Sequence, residues 1–548
     1  MAKFAWLNKD SRTFLERGYL LEGVTPEQRI RDIAQNAERI LGEAGYADKF
    51  YDYMSRGWYS LSSPVWSNFG TERGLPISCF GSYIDDSVES IVYTAAEVGM
   101  MSKYGGGTSA YFGHVRGRGE QIRGNGTSNG TAPFARIFDT MIDVISQGST
   151  RRGYMALYLD IEHKDIMEWF KFLTEGDPIQ LLYYGVAVGN DWLAEMKAGD
   201  KEKRKVWAKV LQMRAETGVP YILFKDNVNM DTVDVYKDKG MTIYASNLCS
   251  EIALPSNIDE SFVCCLSSMN ALHFEDWRDT DAVEVLTKFL DAVMSEFIIK
   301  TKGLKFMERA HRFATNHRAL GLGVLGWHDL LQSKGIAFDS FDAMQLNAKL
   351  FATIQDKATK ASEEMAKMYG EPFHLKGYGR RNTTLTAVAP TKSSSFILGQ
   401  VSQSIEPHKS NYYVRDTAKM KVTYRNPALK IVLNQHDMDK ESVWRSIGEH
   451  DGSVQHLNFL TDHEREVFKT MSEISQLAII QQAASRQKFI DQSQSLNLMI
   501  HPDTPTKAVN KLYLTAAELG VKSLYYQYSV NAAQEFNREL LECSSCGA

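Results

Sequence analysis

The spacing of apolar and polar residues predicts a helical N-terminal region followed by a long mixed α/β region. Thr25, Pro26 and Gln28 occupy the N-cap, first and third positions of a helix start, and the helical pattern after them runs to about Gly42. Beyond it, short β-type apolar runs such as 181–188 alternate with helical segments.

We therefore predict a helical region over residues 1–60, a large α/β region over 61–530 and an exposed tail over 531–548. Two further β-type runs, at 385–389 and 521–528, support the α/β assignment of the long region.

Composition and charge exclude several classes of protein. Hydrophobic residues make up 43% and charged residues 24% of the chain, and no uncharged apolar run is long enough to cross a bilayer, so we expect a soluble globular protein. The N-terminus has no signal-peptide pattern, which predicts a cytoplasmic protein. A net charge of -5 without a long basic block argues against broad binding to duplex DNA or anionic lipid.

The cysteines are too few for a disulfide scaffold and are candidates for chemistry or for packing. They are Cys79, Cys249, Cys264, Cys265, Cys543 and Cys546. The CxxC pair of the tail suits either dithiol exchange or half of a zinc site. We favour exchange because no second ligand pair has zinc spacing, and we predict no metal site. A tail dithiol could re-reduce a buried disulfide that other reductants cannot reach.

Cys249 lies in a segment with three chemically distinct side chains at a spacing of two. If the backbone is extended, Asn247, Cys249 and Glu251 point to the same side and form one reactive face. A single cysteine in such a segment is more often a buried structural residue, so this pattern gains meaning only from the other motifs.

Two further patterns concern nucleotides. Thr391 to Ser395 offer hydroxyls and an ammonium group just before residues 396–398, where we predict that a helix begins, and hydroxyls at a helix start can bind an anion. A serine-rich helix cap is the commoner meaning of such a segment. Residues 321–326 match GxGxxG, but no buried strand precedes them and no GxxxxGK[ST] motif occurs, which argues against Rossmann and P-loop sites.

These motifs, in this order, resemble the large subunits of class I ribonucleotide reductases over about residues 8–546. The resemblance implies a ten-stranded α/β barrel, with two antiparallel five-stranded halves, around a central finger loop. It also implies that Cys249 carries a thiyl radical, while Asn247 and Glu251 hold and deprotonate the ribose hydroxyls. Cys79 and Cys264 resemble the redox pair that reduces the substrate, and Cys265 is then a packing residue.

The resemblance assigns roles to further residues. The tail pair Cys543 and Cys546 would restore the reduced thiols. Tyr525 and Tyr526 resemble a radical-transfer pair, which requires a local departure from regular strand geometry because neighbouring strand residues face opposite ways. The implied substrate-binding residues are Ser63, Ser78, Thr391, Ser393, Ser394 and Ser395. The implied effector-binding residues are Asp86, Ser87, Arg116, Arg123, Arg151 and Arg152, although a solvated Gly/Arg-rich loop would show the same pattern.

The activity that the resemblance implies is reduction of ribonucleoside 5'-diphosphates to 2'-deoxyribonucleotides for DNA synthesis. The radical cofactor would reside in a separate small subunit, and none would be bound covalently here. Other implied partners are thioredoxin or glutaredoxin, a nucleoside triphosphate effector and a second copy of the chain. The short N-terminus predicts that this chain lacks the N-terminal regulatory cone domain found in many members of the family. The alternatives are a cobalamin-dependent reductase and a non-catalytic nucleotide-binding or zinc-tail protein, and the tyrosine pair and CxxC favour class I.

Overall fold

The computed structural model describes residues 3–145, 153–416 and 421–529. Its strands are β1 (Tyr59–Leu61), β2 (Cys79–Tyr83), β3 (Gly107–Tyr111), β4 (Tyr154–Asp160), β5 (Leu182–Val188), β6 (Tyr221–Phe224), β7 (Phe262–Asn270), β8 (Leu320–Leu325), β9 (Tyr412–Asp416), β10 (Lys421–Arg425), β11 (Leu498–Ile500), β12 (Ser523–Leu524) and β13 (Gln527–Ser529).

The helices of the described residues are α1 (Lys9–Gly18), α2 (Pro26–Leu41), α3 (Tyr46–Ser55), α4 (Ser63–Asn68), α5 (Val88–Lys103), α6 (Thr131–Val144), α7 (Ile166–Trp169), α8 (Asn190–Ala198), α9 (Lys201–Thr217), α10 (Lys225–Met230), α11 (Asp234–Asp238), α12 (Phe274–Trp277), α13 (Ala282–Thr301), α14 (Glu308–His317), α15 (Trp327–Ser333), α16 (Phe341–Tyr369), α17 (Lys392–Ile397), α18 (Pro427–Gln435), α19 (Glu441–Glu449), α20 (Asp462–Val467), α21 (Gln476–Gln487) and α22 (Thr506–Glu518). Short 3₁₀ helices occur at Ala271–His273 and Phe373–Leu375. None of the described helices is both long enough and apolar enough to span a bilayer.

The N-terminal helices follow the predicted pattern. At the start of α2 the Thr25 side chain accepts a hydrogen bond from the Gln28 N–H, and Gly42 ends the helix in the left-handed conformation. Buried residues of α2, including Ile30 and Ile33, belong to the main hydrophobic core. The helical region therefore packs on the rest of the chain instead of forming a separate core.

One large sheet forms the centre of the molecule. Strands β2, β3, β4, β5 and β6 run parallel to one another. At one edge β7 pairs antiparallel with β2 and parallel with β8, and at the other edge β12 pairs antiparallel with β6. Strand β1 pairs antiparallel with the later part of β7, at residues 267–269.

Two irregular segments close the sheet into a barrel. Strand β8 bridges in parallel to Thr386, and Val388 bridges in parallel to Gln494. Next to β12, the Tyr525 N–H donates to the Leu496 carbonyl at 2.9 Å. The described strands and segments thus form the expected ten-stranded α/β barrel, with five parallel strands in each half and the halves antiparallel to each other.

The glycine-rich segment at 321–326 belongs to the barrel wall. It forms most of β8, and a Cβ atom on Gly323 would lie 2.6 Å from the Ala387 carbonyl oxygen. These glycines allow close packing of neighbouring segments, and the motif lies in a strand instead of a loop that leads into a nucleotide-binding helix.

A smaller hydrophobic core lies beside the barrel. Buried side chains of α18, α19 and α20, among them Leu429, Leu433, Trp444 and Ile447, form a cluster distinct from the main core. The hairpin of β9 and β10 contributes Tyr412 to its edge. This part of the chain packs around a small core of its own.

Candidate active site

The finger loop, residues 247–251, is a turn and not an extended segment. Ser250 has a φ of +67°, and its N–H donates to the Asn247 carbonyl at 3.4 Å. The backbone is therefore not extended here. The alternation of side chains along a strand does not bring Asn247, Cys249 and Glu251 together. Their proximity depends on the turn and on contacts with the surrounding barrel.

Both halves of the barrel hold the finger loop. From β4, the Tyr158 hydroxyl donates to the Asn247 carbonyl at 2.9 Å. From β12, the Ser523 hydroxyl donates to the Ser250 carbonyl at 2.8 Å. Cys249 is only 5% exposed, so its thiol is protected from bulk solvent.

Glu251 is a buried carboxyl group with a pKa near neutrality. Burial raises the pKa of Glu251 to about 7, although hydrogen bonds from the Asn247 and Ser495 side chains act in the opposite direction. The Ser495 hydroxyl lies 3.2 Å from Glu251 Oε2, while Oε1 has no hydrogen-bond partner among the described residues. Such a group can both accept and release a proton near pH 7.

Cys79 and Cys264 lie directly opposite each other in the sheet. They are register partners in the antiparallel pair of β2 and β7, and both are thiols. Directly opposed residues have Cα atoms about 4.5–5.5 Å apart, which is within the range that a disulfide can bridge. Burial raises the pKa of Cys264 well above its ordinary value, and Gln492 donates to its sulfur at 3.3 Å. The two residues can therefore cycle between thiols and a disulfide.

Strand alternation separates Cys264 from its neighbour Cys265. A Cβ atom on Gly321 would lie 3.0 Å from the Cys264 sulfur, whereas Cys265 is a register partner of Leu320, and burial, followed by nearby Cys79 and Asp291 of α13, raises its pKa well above the ordinary value. Neighbouring residues of β7 point to opposite faces of the strand, and Cys264 is the register partner of Cys79.

Tyr525 and Tyr526 lie between β12 and β13, where the chain leaves regular strand geometry. Their ring centroids are 4.3 Å apart. Tyr221 of β6 donates its hydroxyl to Tyr526 Oη at 2.9 Å, and its ring lies 4.9 Å from that of Tyr525. Burial, with a smaller contribution from nearby Cys249, raises the pKa of Tyr221 far above its ordinary value. Sequence reasoning missed Tyr221 because the YILF run around it is typical of any buried strand.

The predicted phosphate segment begins its helix earlier than expected. Helix α17 starts at Lys392, four residues before the predicted start at residue 396, and Thr391 is its N-cap residue. The Thr391 hydroxyl accepts from the Ser404 N–H at 2.7 Å and hydrogen-bonds with the Ser395 hydroxyl at 2.9 Å. Ser393 is on the less buried side of the helix.

The other predicted substrate residues lie next to two separate strands, β1 and β2. The Ser394 hydroxyl donates to the Leu61 carbonyl at 3.4 Å, which brings α17 beside the end of β1. Ser63 follows at the start of α4. Ser78 precedes β2, and its carbonyl accepts from the Gly107 N–H at 2.7 Å. These residues border the barrel at the end of β1 and the beginning of β2.

Asn497 connects the segment that follows α17 with the tyrosine pair. Its amide donates to Glu406 at 2.6 Å, and its side-chain oxygen accepts from the Tyr526 N–H at 3.0 Å. An isolated asparagine gives no sequence signal for this role, since only the barrel fold brings its two partners within reach.

The predicted effector residues are partly assembled. Asp86 and Arg116 form an ion pair at 2.8 Å, and Ser87 caps the N-terminus of α5 by accepting from the Ser90 N–H. Arg123 is exposed in the following loop. Arg151, Arg152, Cys543 and Cys546 lie outside the described residues.

Comparison with known families accounts for this arrangement. The family model described as the ribonucleotide reductase all-alpha domain matches residues 6–74, and the model described as the ribonucleotide reductase barrel domain matches residues 77–202, 190–375 and 374–527. The chain belongs to the ribonucleotide reductase large subunits. The large subunit of the ribonucleoside-diphosphate reductase of Invertebrate iridescent virus 3 is 34% identical over 591 residues, covering 93% of this chain and 92% of the relative. The large chain of the Schizosaccharomyces pombe enzyme is 30% identical over 604 residues, covering 95% and 73%.

A solved reductase structure agrees with this assignment. The Actinobacillus ureae class Id ribonucleotide reductase alpha subunit matches with a TM-score of 0.93 and 63% identity, covering 99% of this chain and 100% of that one. The chain is therefore the catalytic subunit type of a class I ribonucleoside-diphosphate reductase, an oxidoreductase of deoxyribonucleotide synthesis. Class I large subunits have no radical cofactor of their own, so a small subunit is the partner of this one.

Proposed function

We propose that this reductase converts ribonucleoside 5'-diphosphates to 2'-deoxyribonucleotides with Cys249 as the radical residue. The observation that carries the proposal is the register of Cys79 with Cys264, inside the same barrel as the finger loop. A buried thiol pair that can form a disulfide provides two electrons at a site closed to solvent. The carboxyl of Glu251, with its pKa of about 7, provides a proton acceptor beside Cys249.

The proposed reaction conserves atoms and electrons. A thiyl radical on Cys249 removes the 3'-hydrogen atom of the ribose, while Glu251 accepts the 3'-hydroxyl proton and Asn247 holds the ribose hydroxyls. The 2'-hydroxyl leaves as water, and Cys79 and Cys264 supply two electrons and two protons as they close to a disulfide. Cys249 then returns a hydrogen atom to C3' and becomes a thiyl radical again. The net change is one ribonucleotide and two thiols to one deoxyribonucleotide, one disulfide and water.

The small subunit supplies the oxidising equivalent for this cycle. We propose that Tyr525 and Tyr526 transfer an electron and a proton between it and Cys249. Their 4.3 Å ring separation and burial support this role, because a buried neutral phenol can lose its electron and proton together. We also propose that Cys543 and Cys546 re-reduce the barrel disulfide by exchange and that thioredoxin or glutaredoxin then reduces the tail.

Substrate and effector sites are proposed from the arrangement of polar groups. Ser63, Ser78 and the hydroxyls of residues 391–395 would hold the substrate phosphates. Asp86, Ser87, Arg116, Arg123, Arg151 and Arg152 would bind a nucleoside triphosphate effector that promotes a homodimer, because arginine side chains suit phosphate recognition. We propose that the enzyme works in the cytoplasm, or in the host cytoplasm if its source is a virus.

The decisive experiment is a deoxynucleotide assay with the full chain, a small subunit, thioredoxin and effector. Wild type should turn over only with the small subunit, and Cys249→Ser should form no deoxynucleotide. Cys265→Ser is the matched control, since this buried neighbour of Cys264 is out of register with Cys79, and it should keep most of the activity. Product from Cys249→Ser, or turnover with adenosylcobalamin and no small subunit, would refute the proposal.

The tail is tested in the same assay. The double variant Cys543→Ser with Cys546→Ser should lose thioredoxin-driven turnover and still make about one product per pre-reduced chain, because the barrel thiols remain. Full multiple turnover by this variant would exclude the tail from re-reduction.

A further inference from the structure

Three side chains from distant parts of the sequence meet outside the reductase site. His317 ends α14, His374 lies in the 3₁₀ helix Phe373–Leu375, and Glu260 precedes β7. Glu260 stands four residues before Cys264, which is about 13 Å along an extended chain, and none of the three residues belongs to the set assigned to the reductase site. Its ligand atoms all lie within 4.8 Å of one another.

The distances within the cluster match those between ligands of one metal ion. Zinc binds histidine nitrogen and carboxylate oxygen at about 2.0–2.2 Å, so tetrahedral ligand atoms lie about 3.3 Å apart. Glu260 Oε2 is 3.0 Å from His317 Nε2 and 3.7 Å from His374 Nε2. The Asn316 amide donates to the other carboxylate oxygen at 2.6 Å, which orients the carboxylate and leaves Oε2 facing both rings.

The hydrogen bonds around His317 orient its ring toward Glu260. The Tyr236 hydroxyl donates to Thr383 Oγ1 at 2.8 Å, so at 3.3 Å from His317 Nδ1 it is placed to accept the ring N–H. In this tautomer the lone pair of Nε2 points toward the Glu260 carboxylate 3.0 Å away, so both groups can bind the same ion.

We propose that Glu260, His317 and His374 bind one divalent transition-metal ion, with zinc as the ion best suited to two imidazoles and one carboxylate. His374 is partly exposed, so water can occupy the fourth position beside it. Tyr236 orients the His317 ring through its other nitrogen, which is the usual arrangement for a histidine ligand. The ion would tie α14, the 3₁₀ helix and the segment leading into β7 together.

The test uses the full chain with Cys543→Ser and Cys546→Ser, so that the tail thiols do not compete for metal. After treatment with a chelator, the protein is incubated with Zn²⁺ or Co²⁺ and dialysed, and bound metal is measured. We expect one ion per chain, a visible Co²⁺ spectrum of a tetrahedral site with nitrogen and oxygen ligands and without thiolate bands, and a higher melting temperature with Zn²⁺.

Two variants and one control decide the outcome. His374→Ala and Glu260→Gln should each weaken binding at least tenfold and abolish the rise in melting temperature, while their metal-free melting curves report whether they fold. His450→Ala is the control, because His450 and His456 form another close imidazole pair, with ring centroids 3.7 Å apart, at which no carboxylate completes a three-residue cluster among the described residues. Absence of retained metal, or unchanged binding in both cluster variants, would overturn the proposal.

Discussion

The hydrogen bond from Ser495 to Glu251 offers a quantitative test of the proposed proton acceptor. The Ser495 hydroxyl donates to the Cys249 carbonyl at 2.5 Å and shares its proton with Glu251 Oε2 at 3.2 Å, where it favours the ionised carboxylate. A hydrogen bond to a charged group contributes about 1.5 kcal/mol at the lower end of its range, and about 1.4 kcal/mol corresponds to one pKa unit. Because the proton is shared with the Cys249 carbonyl, Ser495→Ala should raise the pKa of Glu251 by up to about one unit above its value of about 7.

The direction of the activity change follows from the role of the carboxylate. Glu251 accepts a proton only when it is ionised, so activity rises as the pH passes through its pKa. At pH 7 the ionised fraction would fall from about one half to as little as about one tenth, a loss of up to about fivefold, and the loss would nearly disappear by pH 9.

The assay measures kcat/KM from pH 6 to 9.5 with pre-reduced enzyme and excess small subunit, so that the re-reduction of the tail does not limit the rate. Ser523→Ala is the matched control. Like Ser495 it donates to a finger-loop carbonyl, in this case at 2.8 Å, but it does not contact the carboxylate. An unchanged or lower midpoint in Ser495→Ala, or an equal shift in Ser523→Ala, would show that this reasoning is wrong.

Three other predictions concern the proposed radical-transfer path, the barrel wall and the proposed effector site. Tyr526→Phe should abolish multiple turnovers with the small subunit, whereas Tyr184→Phe, at a buried phenol outside the tyrosine pair, should not; equal activities would exclude the path. Gly321→Ala would bring a methyl group 2.4 Å from a leucine side chain and 3.0 Å from the Cys264 sulfur, so it should destabilise the fold by about 1–3 kcal/mol and lower the melting temperature. Arg116→Ala should weaken effector binding at least tenfold in equilibrium titration, and Arg118→Ala, at a pair with Glu168, should leave it unchanged.

Short-range patterns in the sequence predicted the local features well. Thr25 and Gly42 cap the two ends of α2 as expected, because capping depends on residues within one helical turn. The break between β12 and β13 at Tyr525 and Tyr526 also follows from a local argument, since neighbouring strand residues cannot face the same way. Where the argument assumed a regular backbone, at the finger loop, it was wrong, because the turn at Ser250 is stabilised by contacts from the barrel.

The sequence by itself determined which reactive groups the chain carries and in which order, including Cys249, the other thiols and the tyrosine pair. Only the tertiary structure decided that Cys79 pairs in register with Cys264 instead of with Cys265, because strand register depends on packing across the whole sheet. The same holds for the pKa of Glu251, which burial inside the barrel raises to about 7. The cluster around His317 gave no sequence signal, since its members approach one another only when the barrel and its outer helices are in place.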